Sequence, residues 1–189
     1  MKRLVVLVGL PGSGKAAFRN RYPEWAVVSK DAIRRDVFRC SYAPEHEDVV
    51  ERVFAATLVE VVDSDAEVVC VDDLNLTRQA RRELIELAQL AGRRPIAYVM
   101  PFAPVDELHA RALRDAERLS TLYPAVRASS PPRDRLDELV RAYEPVDERE
   151  GFVRVKRETV FADTEAPRPA KGSGRKRVER REPLPLFVP

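Results

Sequence analysis

Residues Gly9-Leu10-Pro11-Gly12-Ser13-Gly14-Lys15 have the types and spacing to hold a polyphosphate. Glycines let backbone N–H groups turn inward, Lys15 adds a mobile cation, and a helix starting there presents its positive end to the same charge. The GxxxxGK spacing follows the apolar run Leu4–Val8 and precedes a short helical-looking segment. That is the strand, glycine loop, helix order of a phosphate-binding P-loop. A glycine turn that binds nothing is the plainer alternative. The expected nucleotide contacts are Gly9, Leu10, Pro11, Gly12, Ser13, Gly14, Lys15, Ala16 and Ala17. In this motif the residue after the lysine carries a hydroxyl that ligates Mg²⁺. Here it is Ala16, followed by Ala17, and neither ligates a metal. A metal must therefore rely on other groups, on waters and on the nucleotide.

Three further constellations carry possible chemistry. Asp31 and Arg34 sit three residues apart at the start of a helical segment. Asp31 reads as a helix N-cap or as a general base on an acceptor hydroxyl; beside a P-loop the second reading gains weight. Arg34 would face the same way and clamp an acceptor phosphate, or it is a solvated surface arginine. Asp72 ends the apolar run Val68–Val71, where P-loop enzymes place an acid that holds Mg²⁺, often through water; a strand-end turn residue is the alternative. Asn75 and Arg78 follow it, to orient the site or to cap and decorate a helix. Arg111, Arg114 and Arg118 share one helix face. They suit a lid that compensates charge on a moving phosphoryl group, or an exposed face beside Asp106, Glu107, Asp115 and Glu117. His46 and His109 are isolated and read as surface residues.

These residues need elements to position them. Short apolar, mostly β-branched runs at Leu4–Val8, Ala26–Ser29, Glu67–Val71 and Ile96–Met100 predict central strands of a parallel sheet. Between them, apolar residues step at three to four across 45–63 and 77–91, with Gly92 as a stop signal, and 105–119 reads as another helix. A loop over 120–131, a helix carrying Leu136, Leu139, Val140 and Tyr143, and a last strand over 152–161 complete the pattern. The alternation predicts a three-layer α/β domain, a mostly parallel sheet whose strand ends gather the ligand, and a helical lid. The domain is expected over 1–162. Residues 163–189, rich in Pro, Lys, Arg and Glu, are expected to be a disordered basic tail. That tail holds seven Lys/Arg against four Asp/Glu, so with a net charge of +2 the body is close to neutral and any basic surface must be local. The end Pro183–Val188 is apolar enough to dock on a partner.

Two cysteines, Cys40 and Cys70, lack metal or redox spacing. Cys70 reads as packing and Cys40 as a free thiol, which suits a reducing cytosol. No apolar run approaches a membrane span, and Leu4–Val8 is too short for a signal sequence. The expected location is cytoplasmic.

Over about 1–160 the chain resembles the P-loop kinase domain of the polynucleotide 5′-hydroxyl kinase family, the end-healing kinases. Gly9–Lys15 resembles that family's GxPGSGK loop, and Asp31 with Arg34 its acceptor-site D-x-x-R. Asp72-Asp73-Leu74-Asn75-Leu76 resembles its D-x-T-N strand end. Tyr143-Glu144-Pro145-Val146-Asp147-Glu148-Arg149-Glu150-Gly151-Phe152 is similar to its F-E-P-P-T-x-x-E-G-F segment. Ala16-Ala17 departs from its Ser-Thr, and Arg111-Ala112-Leu113-Arg114 only approximates its R-N-x-x-R lid. The resemblance implies transfer of the γ-phosphoryl group of ATP, with Mg²⁺, to the 5′-hydroxyl end of DNA or RNA. Lys15, Asp31, Arg111 and Arg114 would be catalytic, Arg34 would bind the acceptor strand, and Asp72 would place the metal. A small-metabolite kinase and a non-catalytic ATP-binding scaffold are the alternatives, the latter because of Ala16.

Overall fold

The computed structural model describes residues 1–159. The expected tail over 163–189 lies outside the described residues. Five strands form one sheet: β1 (Arg3–Val8), β2 (Ala26–Ser29), β3 (Val68–Asp72), β4 (Arg94–Val99) and β5 (Arg154–Arg157). Their order is β2-β3-β1-β4-β5, and every pairing is parallel, with Val5 set between Cys70 and Ile96. The three innermost strands are almost wholly apolar because both their faces are covered.

Alternation along the strands sends side chains to two different cores. Leu4, Val6, Val8, Val28, Val69, Val71 and Ala97 pack with Phe54, Leu58 and Val62 of α3 (Glu47–Asp63) and with Leu84, Ile85 and Ala88 of α4 (Arg78–Leu90). On the other face Val5, Leu7, Val68, Cys70, Tyr98 and Met100 meet Ala17 and Phe18 of α1 (Lys15–Arg19), with Tyr22 and Trp25 partly covering them. A five-residue helix cannot span that face, so aromatic rings finish the cover. Tyr22 and Trp25 stack at 4.0 Å between centroids, and Phe18 lies 4.9 Å from Tyr98. Both cysteines are free and buried, Cys70 inside this core. A third cluster, Leu10, Leu76, Ala103 and Leu108, sits beside the glycine loop and joins α5 (Val105–Leu122) and α6 (Arg133–Ala142) to it.

Local chemistry sets several element ends. Ser29 caps α2 (Lys30–Ile33) by accepting from the Ala32 N–H, and Thr77 caps α4 through the Ala80 N–H. α2 runs on into a wide turn over Arg34–Phe38 that ends at Arg39 in a left-handed conformation. The helical stretch sensed at Asp31 is therefore short, with an irregular continuation. At the end of α3, Arg93 donates to the carbonyls of Val62 in its last turn and of Ser64 and Ala66 in the turn that follows, satisfying acceptors left open there. The last strand occupies only Arg154–Arg157 of the 152–161 expected.

Topology creates a crevice. From β1 the chain crosses to β2 on one side, whereas from neighbouring β3 it crosses to β4 on the other. Connections that part at the carboxyl ends of adjacent strands leave the opening where ligands bind in open α/β sheets. No helix among the described residues is long and apolar enough to cross a membrane.

Candidate active site

The loop after β1 and the acid at the end of β3 meet at that crevice. Gly12 and Gly14 adopt φ values of +75° and +90°, which admit glycine and strain other residues. Gly12 has a second constraint. A Cβ there would overlap the Leu108 carbonyl of α5, so α5 lies directly against the loop. Arg111 reinforces the contact, its Nε donating to the Gly12 carbonyl at 3.0 Å. Beneath the loop, Ser13 is 1% exposed and its Oγ, pressed toward Gly9, has no hydrogen-bond partner. A buried hydroxyl without a partner is costly, and a phosphate oxygen would relieve it. The loop residues present thus fit a nucleotide polyphosphate.

Lys15 folds back over this loop, its Nζ donating to the carbonyls of Gly9 at 2.7 Å and Leu10 at 2.9 Å. Burial pushes its ammonium below the ordinary lysine value, against the pull of Asp72, Asp31, Asp73 and Asp115. A cation held with so little solvent gains most from an arriving anion.

Asp72 is 8% exposed, and its Oδ2 accepts from Arg19 Nη1 at 2.8 Å. Burial pushes its carboxyl up, while Arg19 and Lys15 hold it down. Next to it, Asp73 pairs with Lys30 at 2.9 Å, and Lys30 also reaches Glu51. Mg²⁺ does not find its donor set here. Ala16 offers no oxygen, the Asp72 and Asp73 carboxylates are each paired with a protein cation, and no group of three His, Cys, Asp or Glu among the described residues is arranged around a metal position.

Arg34 links Asp31 to α3. Its Nε and Nη2 form a bidentate pair with Glu47 at 2.9 and 2.6 Å, while Nη1 reaches Asp31 Oδ1 at 2.6 Å. The Asp31 side chain is 84% exposed, and it does not cap α2; Ser29 does. Asp31 nonetheless lies within electrostatic reach of Lys15. Arg111, Arg114 and Arg118 surround Asp115 on α5, which also senses Lys15. Asp72, Asp31 and Asp115 thus all lie within electrostatic reach of Lys15, and Arg111 touches the loop directly.

Two neighbouring segments are knitted together. The Ser41 N–H donates to the Arg127 carbonyl, the Arg127 N–H donates to the Arg39 carbonyl, and the Ser129 N–H donates to Ser41 Oγ. Cys40, buried, sits at the bridge.

Sequence reasoning overlooked four partners: Arg19 for Asp72, Lys30 for Asp73, Glu47 for Arg34, and Arg81 for Glu150. Arg81 is 0% exposed; it forks onto Glu150 at 2.7 and 2.8 Å and donates to the carbonyls of Asn75 and Leu76. Asn75, at φ +49°, anchors the same turn by donating to the Leu7 carbonyl at 2.7 Å. Glu144 meets the Arg78 N–H at 2.5 Å. The stretch 143–152 thus clasps the turn that follows Asp72. A signal existed only for Arg19, which stands four residues after Lys15 and so shares its helix face.

The architecture is that of a P-loop kinase-like fold. A chain of the PezAT toxin–antitoxin system of Streptococcus pneumoniae superposes with a TM-score of 0.61 at 15% identity, over 84% of this chain and 68% of that one. A chain of the Pnkp1/Rnl/Hen1 RNA repair complex gives 0.57 at 19% identity, over 75% of this chain but only 43% of its own length. A gluconokinase from Sinorhizobium meliloti gives 0.53 at 20%, over 85% and 83%. At these identities the likeness is one of fold. No curated protein matches the sequence. The model of the AAA domain family matches residues 4–146, most of the chain, and the chain belongs to that family.

Proposed function

We propose that this chain is an ATP-dependent phosphotransferase whose acceptor is the 5′-hydroxyl end of a nucleic-acid strand. The observation that carries the reading is the placement of Asp31. Its carboxylate is exposed, where a large acceptor could reach it, and it lies within electrostatic reach of the buried Lys15 of the phosphate loop. The loop amides and Lys15 hold the β- and γ-phosphates. Asp31, fixed by Arg34, takes the proton of the acceptor hydroxyl as its oxygen bonds to the γ-phosphorus. The bond from that phosphorus to the β-phosphate oxygen breaks, and ADP leaves. Arg34 carries a second donor face for the acceptor's phosphate, while Arg111 and Arg114 balance charge on the transferred group. The near-neutral body then contacts the acceptor through this local cluster. A cytoplasmic location accords with the two reduced cysteines.

A second reading is favoured by Ala16 and by the Arg19–Asp72 pair, which together remove the metal's protein ligands. It is a nucleotide-binding protein that transfers nothing. A small-metabolite kinase would use the same loop and base on a smaller acceptor. The deciding experiment follows labelled γ-phosphate from ATP to a 5′-hydroxyl oligonucleotide, with gluconate and similar alcohols as competing acceptors. Transfer to the oligonucleotide, lost in Lys15→Ala and Asp31→Ala, supports the proposal. Bound ATP without transfer to any acceptor establishes the second reading, and transfer to small alcohols alone establishes the third.

A further inference from the structure

We infer that Arg19 takes the place of a protein-held metal ion in this site, so that the chain binds nucleoside triphosphate without requiring Mg²⁺. The inference rests on the loop being a nucleotide site, and it concerns how that site supplies positive charge. Two features of the chain point the same way. Ala16 removes the hydroxyl through which a P-loop holds its metal. Arg19, on the same short helix, places Nη1 2.8 Å from Asp72 Oδ2, the carboxylate that would otherwise help place that metal. One change takes away the ligand; the other supplies a fixed cation to the acid left behind.

Geometry makes the two cations exclusive. Asp72 is buried at the end of β3 and is drawn to both Arg19 and Lys15. A divalent ion on the same carboxylate would lie beside a guanidinium and an ammonium in a region with little solvent, where like charges repel strongly. With Arg19 in place, the row Arg19–Asp72–Lys15 runs from helix to loop. Arg19 neutralises Asp72, and Lys15 is then left to answer the phosphates instead of the carboxylate. Arg19 is thus a positioning residue that acts through Asp72 and Lys15. A purely structural pair would bind equally tightly in the protein but would have no influence on metal dependence.

The test is a titration of the full chain with N-methylanthraniloyl-ATP, in Mg²⁺ and in EDTA. The expected ratio of the two Kd values is within about twofold of one, given that charge-assisted bonds from the protein already hold the phosphates. In Arg19→Ala the affinity in EDTA should fall by about tenfold or more, the range of one lost charge pair. In the double variant Ala16→Ser/Arg19→Ala, Mg²⁺ should recover much of it. Thermal melting of each variant accompanies the titration, and the native EDTA arm needs no variant at all. A native affinity that drops tenfold without Mg²⁺, or an Ala16→Ser/Arg19→Ala protein whose Mg²⁺-to-EDTA ratio stays near one, overturns the inference and leaves the nucleotide site standing. No binding by native protein in either buffer overturns both.

Discussion

The guanidinium of Arg81 and that of Arg34 each grip a glutamate with two nitrogens, and they end in opposite roles. Arg81 is wholly buried, and its remaining Nη1 donates to the carbonyls of Asn75 and Leu76. Every partner is internal, and a ligand has nothing to exchange. Arg34 is 13% exposed, held by Glu47 on one side, but its third nitrogen rests on the open carboxylate of Asp31. Under the proposed function an acceptor phosphate would approach the guanidinium beside that exposed contact. The lesson is that arginine count and burial do not separate clasp from site. The exposure of the last partner does.

The comparison breaks most severely at Arg81. Arg81→Met leaves Glu150 partly buried and unpaired, and removal of one member of such a pair destabilises by roughly 3–5 kcal/mol. Thermal or denaturant unfolding measures it. Acid sharpens the point. Partial burial favours the neutral Glu150 carboxyl, but hydrogen bonds from Arg81 and the Asp147 N–H, with the Arg81 charge, outweigh it and hold the group below the ordinary 4.5. A depressed folded value stabilises above the unfolded value and is lost as pH falls through the folded one. The native chain should therefore lose this contribution on acidification below about pH 4.5, and Arg81→Met should lose that part of the slope.

At Asp31 the expected loss is in rate rather than stability. Asp31→Asn should lower phosphoryl transfer by about 10²- to 10⁴-fold, the usual share of a general base. Nucleotide affinity and melting temperature should hardly move, since the Asp31 side chain is exposed. A fall in melting temperature comparable with that of Arg81→Met would erase the distinction between the regions. Gly12→Ala lies between them. It forces a side chain into a left-handed backbone and against the Leu108 carbonyl, at a cost of roughly 1–3 kcal/mol, and it should weaken nucleotide binding by moving α5. Thr77→Ala is the mildest, about 1 kcal/mol for a lost helix cap. It loosens the clasp turn, and binding assays should not register it.

The strands were legible because each central one is an apolar run, and the loop because its glycines have a fixed spacing. The helices of 45–63 and 77–91 showed in their periodicity. Ion-pair partners were not legible: Arg19 meets Asp72 across 53 residues and Arg81 meets Glu150 across 69. No local pattern encodes which carboxylate a folded arginine finds. Nor does the wide turn over Arg34–Phe38 leave a trace, since its residues carry ordinary helical preferences. The motif around Asp72 placed the acid correctly at a strand end and was silent about the cation beside it.

The hydrogen bonds that join Arg39–Ser41 to Arg127–Ser129 tie the segment after the wide turn to the segment that follows α5. Mechanically, the site is a frame with a crossbar, not a pair of jaws. A displacement of the segment after α5 is expected to be felt at Arg39–Ser41 through these bonds. Under the proposed function this tie would couple the acceptor side to the arginine helix, so that a change on one side is expected to register on the other.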